Sequence, residues 1–148
     1  MNQKTPRGLR NNNPLNIRRN SIRWKGMKEE QKDKDFVQFK SMLWGYRAAF
    51  KIMQTYVNKH HCKTLHDIIS RWAPPSENNT KAYEKFVAGE ICTTPLSPLP
   101  PFSDCSFWVS LVLAMTLMEN GYSMDKLKYS MCEVFFHFAA DAYAVVFH

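Results

Sequence analysis

A chain of 148 residues is the size of one domain, since two independent cores would each be too small to be stable. Hydrophobic residues at 45 % and aromatics at 14 % exclude intrinsic disorder, and no run reaches the roughly 18 apolar residues of a membrane span. The net charge of +7 is lopsided: residues 1–85 carry 18 Lys or Arg against 7 Asp or Glu, and residues 86–148 carry 2 against 6.

So basic a half raises the local concentration of anions such as nucleic acid, anionic lipid, teichoic acid or peptidoglycan carboxylates, although a solvated basic face with no partner is the alternative. Residues 1–6 hold a charge but no apolar stretch, which excludes a secretory signal there. The expectation is synthesis in the cytoplasm, with any action at a cell wall following lysis or delivery by a virion or secretion machine.

In chain order, residues 7–23 are polar, Asn-rich and basic. Pro14 keeps the residue before it out of the helical region, so residues 11–14 predict a turn. Residues 15–22 predict a short strand and residues 24–26 a turn. Residues 35–39 alternate apolar and polar, as a half-buried strand does.

The remainder predicts helices. Ala48, Ala49, Ile52, Met53, Tyr56 and Val57 form one stripe of a 3.6-residue period. Thr64 followed by Asp67 resembles a capping box opening a helix with Leu65, Ile68, Ile69 and Trp72, which Pro74-Pro75 stops. Asn78 or Asn79 caps a helix with Tyr83, Phe86, Val87 and Ile91 on its apolar side. Four prolines make residues 92–103 an extended connector. Ser103 or Asp104 then caps an apolar helix through Phe107, Trp108, Leu111, Val112, Met115 and Met118, ended by Asn120-Gly121. Ser123 starts a last helix with Leu127, Met131, Val134, Phe135 and Phe138 on one side. Cys62, Cys92, Cys105 and Cys132 have no zinc-site spacing and read as buried free thiols, so no metal and no cofactor is expected. The predicted fold class is mainly α (α+β): one helical domain over residues 1–148 with a small N-terminal β element.

Three segments exceed what packing requires. Asn11, Asn12 and Asn13, with Asn16 and the arginines around them, offer donors and acceptors for sugar hydroxyls, N-acetyl groups or phosphates; a stack of Asx-turns serving the backbone is the alternative. Trp72 beside Pro74-Pro75 offers a flat platform, followed by Glu77 and Asn78. A carboxylate just before a helix is stabilised in its charged form, which suits a cap better than an acid. Glu119 ends an apolar helix, where the macrodipole and apolar surroundings both favour the protonated form a general acid needs. On residues alone, an exposed terminal Glu is the plainer reading.

Residues 7–18, Arg-Gly-Leu-Arg-Asn-Asn-Asn-Pro-Leu-Asn-Ile-Arg, resemble a family of phage and prophage proteins described as virion structural or lysozyme-like, in which a Gly usually stands at the place of Leu15. Further matches are residues 24–26, 35–39, 45–48, 71–83 and 119–121. Residues 12–18 also resemble the Asn-Asn-Leu-Phe-Gly-Ile-Lys element of bacterial cell-wall glucosaminidases. There a Glu-Ser-Gly helix end bearing the acid precedes that element. Here the first carboxylate is Glu29, and the similar helix, residues 113–121, comes after it.

The resemblance implies a circularly permuted lysozyme-like core that binds and cleaves peptidoglycan, or another polyanionic polymer, with Glu119 as acid and Glu77 as the other candidate carboxylate. It assigns Asn12, Asn13, Asn16 and Asn78 to sugar binding, Trp24 and Trp72 to stacking, and Arg18 and Arg19 to attraction of the wall. With no second carboxylate clearly placed, a one-glutamate lytic transglycosylase is favoured slightly over a two-carboxylate glycosidase. The alternatives are a non-catalytic virion or secretion-machine component of the same fold, and a nucleic-acid-binding module without a recognised base-reading motif.

Overall fold

The computed structural model describes residues 5–121 and 129–148, the side chains of 129–132 excepted. Six helices are described: α1 (Arg7–Arg10), α2 (Met42–Asn58), α3 (Leu65–Trp72), α4 (Thr80–Glu90), α5 (Cys105–Asn120) and α6 (Tyr129–Phe147). The protein is mainly α, as its periodicity predicts.

The helix boundaries follow local chemistry. Thr64 and Asp67 make the full capping box of α3: the Asp67 amide donates to the Thr64 hydroxyl, and the Thr64 amide donates back to the Asp67 carboxylate. Asn79, not Asn78, caps α4, and Asp104 caps α5. Gly121 closes α5 with a left-handed φ of 72°.

Apolar faces assemble these helices. α2 packs along α6, where Phe50 meets Tyr143 and Phe147 edge-on at 5.9 and 5.8 Å. The Pro-rich connector reaches the same place, with Phe102 stacked on Phe147 at 4.7 Å and the Trp108 indole donating to the Pro101 carbonyl. α5 threads the middle, burying Trp108, Leu111, Val112 and Met115. The one polar group buried deep in it, Thr116, donates to the Val112 carbonyl and accepts from the Tyr46 hydroxyl at 2.8 Å.

Three expectations need correcting. Residues 15–22 and 35–39 form no ladder; among the described residues, pairing there is limited to single antiparallel bridges, Arg18 with Phe36 and Met27 with Phe39. Asn16 has a φ of 54°, which breaks an extended run, and the Asn13 side chain occupies backbone groups that a neighbouring strand would use. Of the cysteines, Cys62 is buried, but Cys92 and Cys105 are exposed. On α6, Phe135 is buried and Val134 is exposed, and the packed face runs on through Ala139, Ala142 and Tyr143. Ser123 and Leu127, and the side chains of Met131 and Cys132, lie outside the described residues.

Residues 11–40 bury Leu15, Ile17, Val37 and Phe39 in the core, and polar bonds set the path of their backbone. The Asn13 amide donates to the Ile17 and Val37 carbonyls and accepts from the Ile17 amide, all at 2.8–2.9 Å. Arg7 grips Asp33 through two nitrogens at 2.6 and 2.7 Å and reaches Asp35 at 3.0 Å. The Arg7 guanidinium, with help from Asn11 and two backbone amides, holds the Asp33 carboxyl far below the usual carboxylate range. This knot lies directly on α2: a Cβ on Gly45 would meet the Asn12 carbonyl at 2.3 Å and the Pro14 ring at 2.7 Å.

Candidate functional site

The N-terminal turn meets the C-terminus of α5. Asn120 donates to the Pro14 carbonyl at 2.9 Å, and Asn16 donates to both the Glu119 carbonyl and its Oε1 at 3.2 Å. A helix end leaves carbonyls without intrahelical partners, and the Asn16 side chain answers one of them. Asparagine tolerates the left-handed backbone at position 16 better than any other non-glycine residue type, which lets the turn aim that amide at α5. Gly8 makes room, since a Cβ there would lie within 2.7 Å of the side-chain oxygens of both Asn16 and Asn120.

From the other side Tyr83, buried on α4, donates its hydroxyl to Glu119 Oε2 at 2.8 Å. Both carboxyl oxygens are thus fixed by donors on two separate elements. Burial is the dominant influence and raises the Glu119 pKa above the ordinary value of 4.5. Hydrogen bonds from Tyr83 and Asn16, the nearby Trp72 indole, and the charge of Arg18 pull in the opposite direction and lose. Burial and the adjacent carboxylate push the Tyr83 phenol well above its ordinary range, so it remains a donor.

Glu119 opens into a cleft of about 320 Å³. Asn16 and Arg18 line it from the N-terminal turn, Trp72 and Arg71 from the end of α3, Ile52 and Tyr56 from α2, and Glu77 and Asn78 from the turn after Pro74. One wall is aromatic: Tyr56 and Trp72 meet edge-on at 6.4 Å. Chemically the cleft offers a partly buried acid with a raised proton affinity, flat apolar surfaces, amide groups and two cations. Among the described residues no group of His, Cys, Asp and Glu is arranged to hold a metal ion.

Of the residues singled out in the sequence, Asn16, Arg18, Trp72, Glu77, Asn78 and Glu119 come together in this cleft. Four do not. Asn13 is fully buried with its amide committed to backbone, and Asn12 donates to the Phe39 carbonyl. Both serve the backbone, Asn13 partly within its own turn and Asn12 across 27 positions. Arg19 bonds the Asp33 carbonyl and, with Trp24, lines a separate depression. Tyr56, Arg71 and Tyr83 are functional candidates that sequence reasoning missed. Tyr83 had one available signal: a tyrosine on a buried helix face needs a partner for its hydroxyl.

No protein-family model matches the chain. It is 39 % identical, over 128 aligned residues, to protein P5 of Pseudoalteromonas phage PM2, an alignment that covers 82 % of this chain and 78 % of that protein.

Proposed function

The chain belongs to the family of phage PM2 protein P5, and from that premise we propose that it is a phage-derived, lysozyme-like domain that binds peptidoglycan and cleaves its glycan strand, with Glu119 as the proton donor. One observation carries the reading: a partly buried carboxyl of raised proton affinity, fixed at both oxygens by Tyr83 and Asn16, opens into a cleft with an aromatic wall. A glycosidic leaving oxygen needs a proton as its bond to the anomeric carbon breaks, and a carboxyl whose proton affinity is raised by burial is suited to supply it. Tyr83 and Asn16 orient the carboxyl, and their hydrogen bonds stabilise the carboxylate once the proton has gone.

Glu77 is the other carboxylate of the cleft. It sits exposed in a turn whose backbone bonds run to the Pro74 carbonyl, a position that favours an ordinary solvated carboxylate over a buried nucleophile. We therefore favour the one-glutamate chemistry. The C6 hydroxyl of the cleaved sugar attacks its own anomeric carbon, the Glu119 proton goes to the leaving oxygen, and the resulting carboxylate takes up the hydroxyl proton. The product is an anhydro-sugar, formed without water.

Incubation with purified sacculi and mass analysis of the released muropeptides tests the reading. Release of anhydro-ended fragments is expected, falling about 10²–10⁴-fold in Glu119→Gln while sacculus binding survives. Glu77→Gln should retain most of the rate. Full activity in Glu119→Gln, with loss in Glu77→Gln, would move the acid to Glu77. No release from several wall types would leave a non-catalytic virion or secretion-machine component as the better account.

A further inference from the structure

Two cations of the cleft neither donate nor accept the transferred proton. Arg18 enters from the N-terminal turn and Arg71 from the last turn of α3. Each guanidinium lies over an aromatic ring, Arg18 over Phe36 at 5.3 Å and Arg71 over Tyr56 at 5.5 Å. Among the described residues neither forms a salt bridge, whereas Arg7 is consumed by Asp33 and Asp35. An arginine stacked on a ring is held in orientation while the edge of its fork keeps its N–H donors for a planar anion. Glu77 and Glu119 face the same space. Glu77 forms no ion pair with either arginine, and Glu119 is occupied by Tyr83 and Asn16.

We propose that Arg18 and Arg71 form a clamp for a carboxylate carried by the substrate, so that the cleft selects an acidic glycan, one with a carboxyl or acidic peptide beside the scissile bond, over a neutral polymer of N-acetylated sugar. The proposal rests on the glycan-cleaving reading and adds the substrate's charge to it. It has a kinetic corollary. The charge of Arg18 opposes protonation of Glu119 in the free protein. A substrate carboxylate neutralises that charge on binding, so Glu119 holds its proton to higher pH in the complex than alone.

The test uses soluble glycan fragments of peptidoglycan with native carboxyls, and the same fragments with those carboxyls amidated. The unmodified protein should prefer native fragments by tenfold or more in kcat/KM, mainly through KM. In R18A/R71A that ratio should fall towards one, and R18K/R71K, which keeps charge but not the fork, should lie between. The alkaline limb of kcat should sit at higher pH than that of kcat/KM, and R18A should bring the two together by raising the latter. Equal cleavage of both fragments by the unmodified protein, or an undiminished preference in the folded double variant, overturns the clamp while leaving the glycan-cleaving reading intact. If nothing is cleaved, that reading fails, and calorimetric binding of the two fragments decides the clamp. Tighter binding of native fragments that is lost in R18A/R71A upholds it, and equal binding ends it.

Discussion

Residues 5–40 and the helical body from Met42 onward share an apolar core but order their backbones by different means. The helices are joined by apolar burial: Leu111, Met115, Phe50 and Ile68 touch no water. The N-terminal segment also sends Leu15, Ile17, Val37 and Phe39 into that core, but with one short helix and isolated bridges its backbone is ordered by amide side chains and the Arg7–Asp33 pair in place of a ladder. Hydrophobic contact is tolerant of direction, whereas a hydrogen bond is lost with modest misalignment. The segment that must aim an amide at Glu119 is therefore the one built from directional bonds.

The comparison can be broken or sharpened by substitution. The largest stability effect belongs to the helical body: Leu111→Ala should cost about 2–5 kcal/mol, read from the midpoint of urea unfolding. Asn13→Ala should cost roughly 1–3 kcal/mol, because it leaves the buried Ile17 amide and Val37 carbonyl without that partner. Hydrogen exchange separates two outcomes there. Faster exchange confined to residues 11–19 and 35–39 would make the segment an appendage. A global rise would make it part of one cooperative unit, the result we expect from its contact with Gly45 and Asn120.

The smallest effect lies where the two regions meet. The folded-state pKa of Glu119 is raised, so the protein binds an extra proton there and loses stability as pH rises from 4.5 through the folded value. Glu119→Gln removes that dependence. Its melting temperature relative to the unmodified protein should climb as pH passes from 4 to 8. A flat difference over that range would mean that burial does not govern this carboxyl.

Much of the fold was legible because its signals are local. The Thr64–Asp67 box, the Asn79 and Asp104 caps, Gly121 and the stripe along α2 each depend on residues a few positions apart. The strand expectation for residues 15–22 failed because alternation does not reveal that Asn13 and Asn16 would turn the backbone and claim its hydrogen bonds. The site was legible in part. Asn16, Trp72, Glu77, Asn78 and Glu119 stood in marked segments, but nothing in the order of the residues separates Asn16, which meets Glu119, from Asn13, which is sealed in the interior.

The sequence by itself determined a mainly helical fold, where most of its helices start and stop, and a basic N-terminal half. Only the tertiary structure decided which of those charges remain available. Arg7 is neutralised by aspartates 26 and 28 positions away, while Arg18 and Arg71 come to one cleft from separate elements. It also decided that Glu119 is not an exposed helix end, since Asn16 lies 103 positions before it and Tyr83 36. Proton affinity depends on what surrounds a carboxyl within a few ångströms, and those neighbours are chosen by packing rather than by proximity along the chain.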